Sequence, residues 1–223
     1  MSHLSKTCGQ QKDPIRAFTL IELLVVIGII GTMMALIMPA FRGFGRSASM
    51  NGSVAQVRST LSLARQFAIN KRQNVHVVFV YSNTVSSLPA EAWRVNRSYA
   101  VFVSTNGSQG YYLKEWTALP PGVVFTPSAT NFPGSSKKGD NVMAGGLVQT
   151  FAFPTTSSST LAAMRAIQFS ADGSISSGSI NAIYITEGVV ETNGVMLVRT
   201  NGLKFGVDAK QLTGQIRVRD YNQ

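Results

Sequence analysis

Residues 16–41 read Arg-Ala-Phe-Thr-Leu-Ile-Glu-Leu-Leu-Val-Val-Ile-Gly-Ile-Ile-Gly-Thr-Met-Met-Ala-Leu-Ile-Met-Pro-Ala-Phe. From Phe18 to Met38 there are 21 residues and one charge, Glu22. As a helix this stretch extends about 32 Å, enough for a hydrocarbon core of about 30 Å. A carboxylate at mid-bilayer costs about 2.5–3.5 kcal/mol on insertion scales. Glu22 must therefore sit shallow, one turn inside the interface, or have a partner. A secretory signal does not fit, because its apolar region is shorter and its small-residue cleavage site follows that region. Here the small residue, Ala17, comes first. Cys8 is not a lipoprotein cysteine either, since no apolar region precedes it and Lys6 lies two residues upstream.

The order Ala17-Phe18-Thr19-Leu20-Ile21-Glu22-Leu23-Leu24 closely resembles the class III signal of type IV prepilins and pseudopilins. The resemblance implies that a prepilin peptidase cuts between Ala17 and Phe18 and methylates the new Phe18 amine. Residues 1–17 then form a cleaved leader, and Glu22 becomes the fifth residue of the mature chain and an assembly determinant. The cationic Phe18 amine, its own or a neighbour's, is the nearest candidate partner for that carboxylate. Pro39 falls where pilin helices carry a helix-weakening proline. Ala17 departs from the Gly usual at the last leader position.

The chain carries +10 at neutral pH. Lys6, Lys12 and Arg16 against Asp13 put +2 of this in the leader, so the mature chain keeps +8. A balance this basic invites a polyanion partner, nucleic acid or an acidic membrane surface, but it is also ordinary solubility. Basic residues flank the apolar span on both sides, with Arg42, Arg46 and Arg58 following it, so the positive-inside rule is nearly balanced. A leader-in, head-out orientation in the bacterial inner membrane rests on the resemblance. The single cysteine, Cys8, lies in the leader, which leaves the mature protein without disulfides or thiolate ligands.

After Pro39, the residues Arg42-Gly43-Phe44-Gly45-Arg46 form a glycine-loosened junction. Helical periodicity returns from about Ser49 to Arg72, with Val54, Val57, Leu61, Ala64 and Ala68 on one face. Arg58, Arg65 and Arg72 recur every seven residues beside that face. They read either as snorkelling flanks of a buried helix or as a ridge contacting a polyanion or an acidic neighbour. The remainder is rich in β-branched and aromatic runs: residues 75–81, 99–103, 110–116, 123–126, 147–153, 166–170, 182–186, 195–200 and 215–218. Asp172-Gly173, Asn106-Gly107 and Asn201-Gly202 are turn signals, and residues 128–146 read as a mobile loop.

The expected architecture is α+β: a long amino-terminal membrane-spanning helix followed by an antiparallel β-sheet head, the lollipop layout of pilins. The expected segments are the leader 1–17, a transmembrane and filament-core helix 18–41, an amphipathic helix 42–74 continuing into the head, and a β-rich head 75–223. Residues from about Met50 onward should fold without the span. Three short motifs are similar to GspH/FimT-type minor pseudopilins: Ala68-Ile-Asn-Lys-Arg-Gln73 running into a Val-rich strand, Ile167-Gln-Phe-Ser-Ala-Asp-Gly173, and Leu212-Thr-Gly-Gln-Ile-Arg-Val218.

No catalytic set emerges. His76 is the only mature histidine and lies in a strand, as a paired sheet residue rather than a general base. No Gly-x-Ser-x-Gly elbow occurs. Glu187 and Glu191 flank Gly188, but Ca²⁺ takes six to eight oxygen ligands and no matching acidic cluster surrounds them. No metal and no cofactor are expected. Trp93, Trp116, Tyr111 and Tyr112 beside Arg94, Arg97 and Lys114 could stack on bases, or could fill a core. The leading expectation is a minor pseudopilin, a non-enzymatic subunit of a periplasmic pseudopilus in type II protein secretion. Its partners would be the prepilin peptidase, the inner membrane and other pseudopilins through helix packing. The alternative is a minor type IV pilin whose basic head captures DNA in uptake; a membrane-anchored enzyme comes last.

Overall fold

The computed structural model describes residues 18–81, 89–106, 109–127, 132, 141–155, 160–176 and 181–222. The chain divides into two compact units, residues 1–44 and 45–223. One helix, α1 (Leu20–Lys71), contributes to both. Helical structure continues through Pro39, where the sequence reading places a helix break. A proline removes one N–H and crowds one preceding carbonyl, at about 3 kcal/mol or more. The flanking residues still supply their own bonds, so the helix resumes. The Gly43–Gly45 junction is helical as well.

Within the second unit, α1 buries Met50, Val54, Val57, Leu61, Ala64 and Ala68, which recur at the three- and four-residue spacing of a single helix face. Met50 is fully buried in the head core, so the unit needs the turn before it and begins at Gly45. Arg72 ends the helix with φ 53°, and the Gln73 N–H reaches back to the Ala68 carbonyl at 3.3 Å.

Among the described residues ten strands follow: β1 (Asn74–Phe79), β2 (Ser98–Asn106), β3 (Gln109–Ala118), β4 (Val123–Phe125), β5 (Leu147–Ala152), β6 (Leu161–Phe169), β7 (Ala182–Val190), β8 (Met196–Val198), β9 (Lys204–Ala209) and β10 (Ile216–Asp220). They form two antiparallel sheets rather than one. The first has the order β3-β2-β1-β6-β5; the second has β10-β9-β7-β4, with β8 added to β7. Alternation along β1 explains the layering. Val75, Val77 and Phe79 join the core that holds the helix face, together with Val123 and Phe125 from β4 and Ile183 and Ile185 from β7. Val78 and Val80 point the other way, into a second core with Phe151, Phe153 and Met164.

The pairing puts β3 and β5 at opposite edges of the first sheet. Nevertheless Tyr112 Oη and Trp116 Nε1 on β3 donate to the Ala152 carbonyl on β5, at 2.8 and 3.0 Å. The sheet therefore curls around its second core until its two edges meet at one end.

The strand expected over 166–170 begins earlier, at Leu161. β9 lies outside the strand stretches expected from the sequence. Two features of the expected mobile loop 128–146 are ordered. Phe132 packs on Tyr184 with ring centroids 4.6 Å apart. Val142–Gly145 forms a single helical turn (α2), capped by buried Asn141, whose side chain accepts from the Met143 N–H and donates to the Thr126 carbonyl. Residues 128–131 and 133–140 lie outside the described residues. The leader, including Ala17, lies outside them too.

Candidate functional site

At the amino terminus, Thr19 caps α1: the Glu22 N–H donates to Thr19 Oγ1 at 3.3 Å and the Leu23 N–H to the Thr19 carbonyl at 3.2 Å. Thr19-Leu-Ile-Glu22 has the spacing of a capping box, in which an acidic residue follows the cap by three positions. Glu22 thus stands in the first turn, where the helix dipole favours negative charge by about 0.3–1 kcal/mol. The signal for this capping role is the Thr19-x-x-Glu22 spacing itself.

From Leu23 to Ile37 the helix is apolar on all sides and uncovered. Fourteen large hydrophobic side chains from Phe18 to Ile37 are exposed, Leu20 and Leu36 each at 81%. Burying such side chains is worth about 1.5–3 kcal/mol each, so covering this surface is worth tens of kcal/mol. Leu20–Ile37 is the one described helix segment long and apolar enough to cross a membrane. Its one hydroxyl, on Thr32, is satisfied within the helix by the Ile29 carbonyl at 2.8 Å. Apart from the Glu22 carboxylate, no side-chain polar group of this segment opposes transfer into lipid or into a bundle of like helices.

Arg58 and Arg65 line a 240 Å³ cleft together with Gln215 and Ile216, and Arg72 directly follows the end of α1. Arg65 is tied inward, since its Nε donates to the Thr213 carbonyl at 2.8 Å. The three motifs on which the subgroup resemblance rests meet at this point. A Cβ on Gly173 would lie 2.6 Å from Ile69 Cδ1, and one on Gly214 only 2.0 Å from the Gly173 carbonyl oxygen. Both glycines have positive φ, 83° and 61°. Helix end, Asp-Gly turn and carboxyl-terminal loop therefore lock together through glycines that leave no room for a side chain.

The basic aromatic stretch is largely occupied by internal contacts. Arg94 meets Glu91 at 2.8 Å, donates to the Pro154 carbonyl at 2.8 Å and lies over the Trp93 ring at 5.0 Å. Arg97 donates to the Leu119 carbonyl at 2.9 Å. Lys114 donates to Thr60 Oγ1 at 3.0 Å across the helix–sheet contact, and burial lowers its pKa. Trp116 and Tyr112 bind Ala152, and burial pushes the Tyr112 hydroxyl up to about 12. Only Trp93 and Tyr111 offer substantial ring surface. Glu187 faces Arg199 at 3.7 Å, and Glu191 accepts from Asn193 Nδ2 at 3.2 Å. His76, in the middle strand of the first sheet, is 3% exposed. Burial lowers its pKa to about 4, so it is neutral at physiological pH, and its Nδ1 has no hydrogen-bond partner among the described residues.

Residues 14–38 match the family model of the prokaryotic N-terminal methylation motif. No curated protein and no solved structure gave a match. The motif covers Ala17, Phe18 and Glu22 and ends at the last residue before Pro39. The amino-terminal segment is thus a class III signal of the type IV prepilin kind, and it supports the type IV pilin and pseudopilin class for the chain.

Proposed function

We propose that the chain is a minor pseudopilin, a structural subunit of a periplasmic filament in type II protein secretion. The observation that carries this reading is the methylation motif at residues 14–38, laid over a helix whose large apolar side chains are uncovered. In this reading the span inserts in the inner membrane with the leader inside and the head in the periplasm. Prepilin peptidase then cuts before Phe18 and methylates its amine. Assembly moves the helix from lipid into a bundle of like helices, where apolar contact is kept and Glu22 needs a counter-charge. The Phe18 amine, still cationic after methylation, supplies it.

In this reading the head is the exported part of the chain, packed without disulfides. Capture of DNA in uptake is the second reading, favoured by the pairing of Arg58 and Arg65 in one cleft. It is weakened because Arg65, Arg94, Arg97 and Lys114 all donate to groups within the head. Cross-linking in the envelope of a host that expresses its own secretion genes tests the choice. Recovery of the chain bound to other pseudopilins supports the filament subunit. Recovery without any pseudopilin, while DNA uptake depends on the chain, would replace it by the DNA reading.

A further inference from the structure

The curl of the first sheet leaves a cleft of 610 Å³ at the end away from the Tyr112 and Trp116 bridge. Its floor is Asn74 and His76 of β1, Phe102 of β2 and Gln168 of β6, and its wall is the continuous run Val148–Phe151 of β5. Three properties define what fits there. No lining residue is charged, and buried His76 is neutral, so a charged ligand has no counter-charge. Most lining side chains are amides, hydroxyls or imidazole, so the cleft suits a ligand with polar groups of its own better than a purely apolar one.

No aromatic face is presented flat, which disfavours a sugar. Phe151 is buried, and Phe102 is overlain by Gly110, whose Cβ would sit 2.6 Å from Phe102 Cζ. β5 supplies the remaining clue. Among the described residues it pairs with β6 only, and the Ala152 carbonyl that binds Tyr112 and Trp116 points away from β6. The two-residue period of a strand puts the N–H and C=O groups of Val148 and Thr150 on that same free edge, beside the cleft. Val148 is 47% exposed there.

We propose that this cleft binds an extended, uncharged segment of another protein, which adds as a strand to β5 and places a polar side chain against His76. Strand addition takes its affinity from main-chain hydrogen bonds and its specificity from alternate side-chain positions, and an edge beside a neutral polar cleft supplies both.

The test uses the full chain in detergent with isotope-labelled histidine, because the only histidines are His3 and His76. The probe is the blocked peptide acetyl-Thr-Val-Thr-Val-Thr-amide. Its addition should move the His76 imidazole resonance and saturate below about 1 mM. The same peptide with lysines for valines should not. Val148→Lys changes only an exposed position, and Thr150→Pro removes an outward N–H. Each should weaken binding by about tenfold or more. Absence of any His76 shift overturns the proposal, as does equal binding by the Val148→Lys protein. A shift with maltohexaose rather than the peptide would assign the cleft to a saccharide instead. A concentration-dependent shift without peptide would assign it to a second copy of this chain, and either result also overturns the proposal. None of these outcomes bears on leader processing.

Discussion

His76 lies in β1 with the rings of Phe102 and Phe151 centred 6.3 and 6.0 Å away, and its pKa falls from 6.5 to about 4 through burial. Because the folded pKa is depressed, the unfolded chain takes up the proton first. Stability is therefore complete above about pH 6.5, falls as the pH drops towards 4, and falls no further from this residue below that. The loss amounts to about 3 kcal/mol for a shift of this size. Denaturant melts at pH 7.5 and 4.5 should show it. His76→Gln, which does not titrate, should flatten that interval whatever its own stability. Glu22 is the other decisive residue. Glu22→Ala should still be inserted and processed, because the signal and span are intact, but should enter filaments poorly; assembly at the wild-type level would refute the pairing with the Phe18 amine. Glu22 stood out in the sequence because one charge in 21 apolar residues is costly. The state of His76 did not, because burial of a strand residue depends on which face the sheet covers.

Among the elements, the lock between α1, the Asp172-Gly173 turn and the Thr213-Gly214 loop is the most sensitive to small changes. Gly214→Ala would meet the Gly173 carbonyl at 2.0 Å and strain a positive φ, so it should cost about 2–4 kcal/mol in thermal or denaturant melts. Arg65→Met keeps the stem but loses the bond to the Thr213 carbonyl and should cost about 1 kcal/mol. Elements with a clean period were legible: Val54, Val57, Leu61, Ala64 and Ala68 are all buried as expected, and the Asp-Gly turn closes with the Gly173 N–H on the Ser170 carbonyl at 2.8 Å. β9 was not, because Lys204-Phe-Gly-Val-Asp-Ala209 carries Gly and Asp, both poor strand formers. Its Gly206 makes sense only in three dimensions, where a Cβ would lie 2.8 Å from the Tyr221 ring. Nor does a strand's sequence say how far its sheet will curl. That is why the contact of Tyr112 and Trp116 with Ala152, and the cleft it leaves, could not be read from the chain.

For the molecule as a whole, residues 45–223 should fold without the span, since the described core clusters draw all their residues from that unit. A chain starting at Gly45 should give a cooperative melt, whereas one starting after Met50 loses a fully buried side chain and should be less stable by about 2–5 kcal/mol. The same head should bind DNA only weakly and lose that binding steeply with salt, as any strongly basic protein does. Submicromolar retention at physiological salt that disappears with Arg58→Ala and Arg65→Ala would favour the uptake reading. The superfamily was legible because a membrane span and a peptidase signal are linear features written in consecutive residues. The machine that the chain serves is set by surfaces assembled from distant residues. The central claim is that residues 1–17 are a prepilin leader, and mass spectrometry of the membrane-extracted protein from a host with prepilin peptidase tests it most directly. The account predicts a mature chain beginning at Phe18 and carrying one methyl group on its amine. An intact leader, or a chain cut after the apolar run, would contradict it.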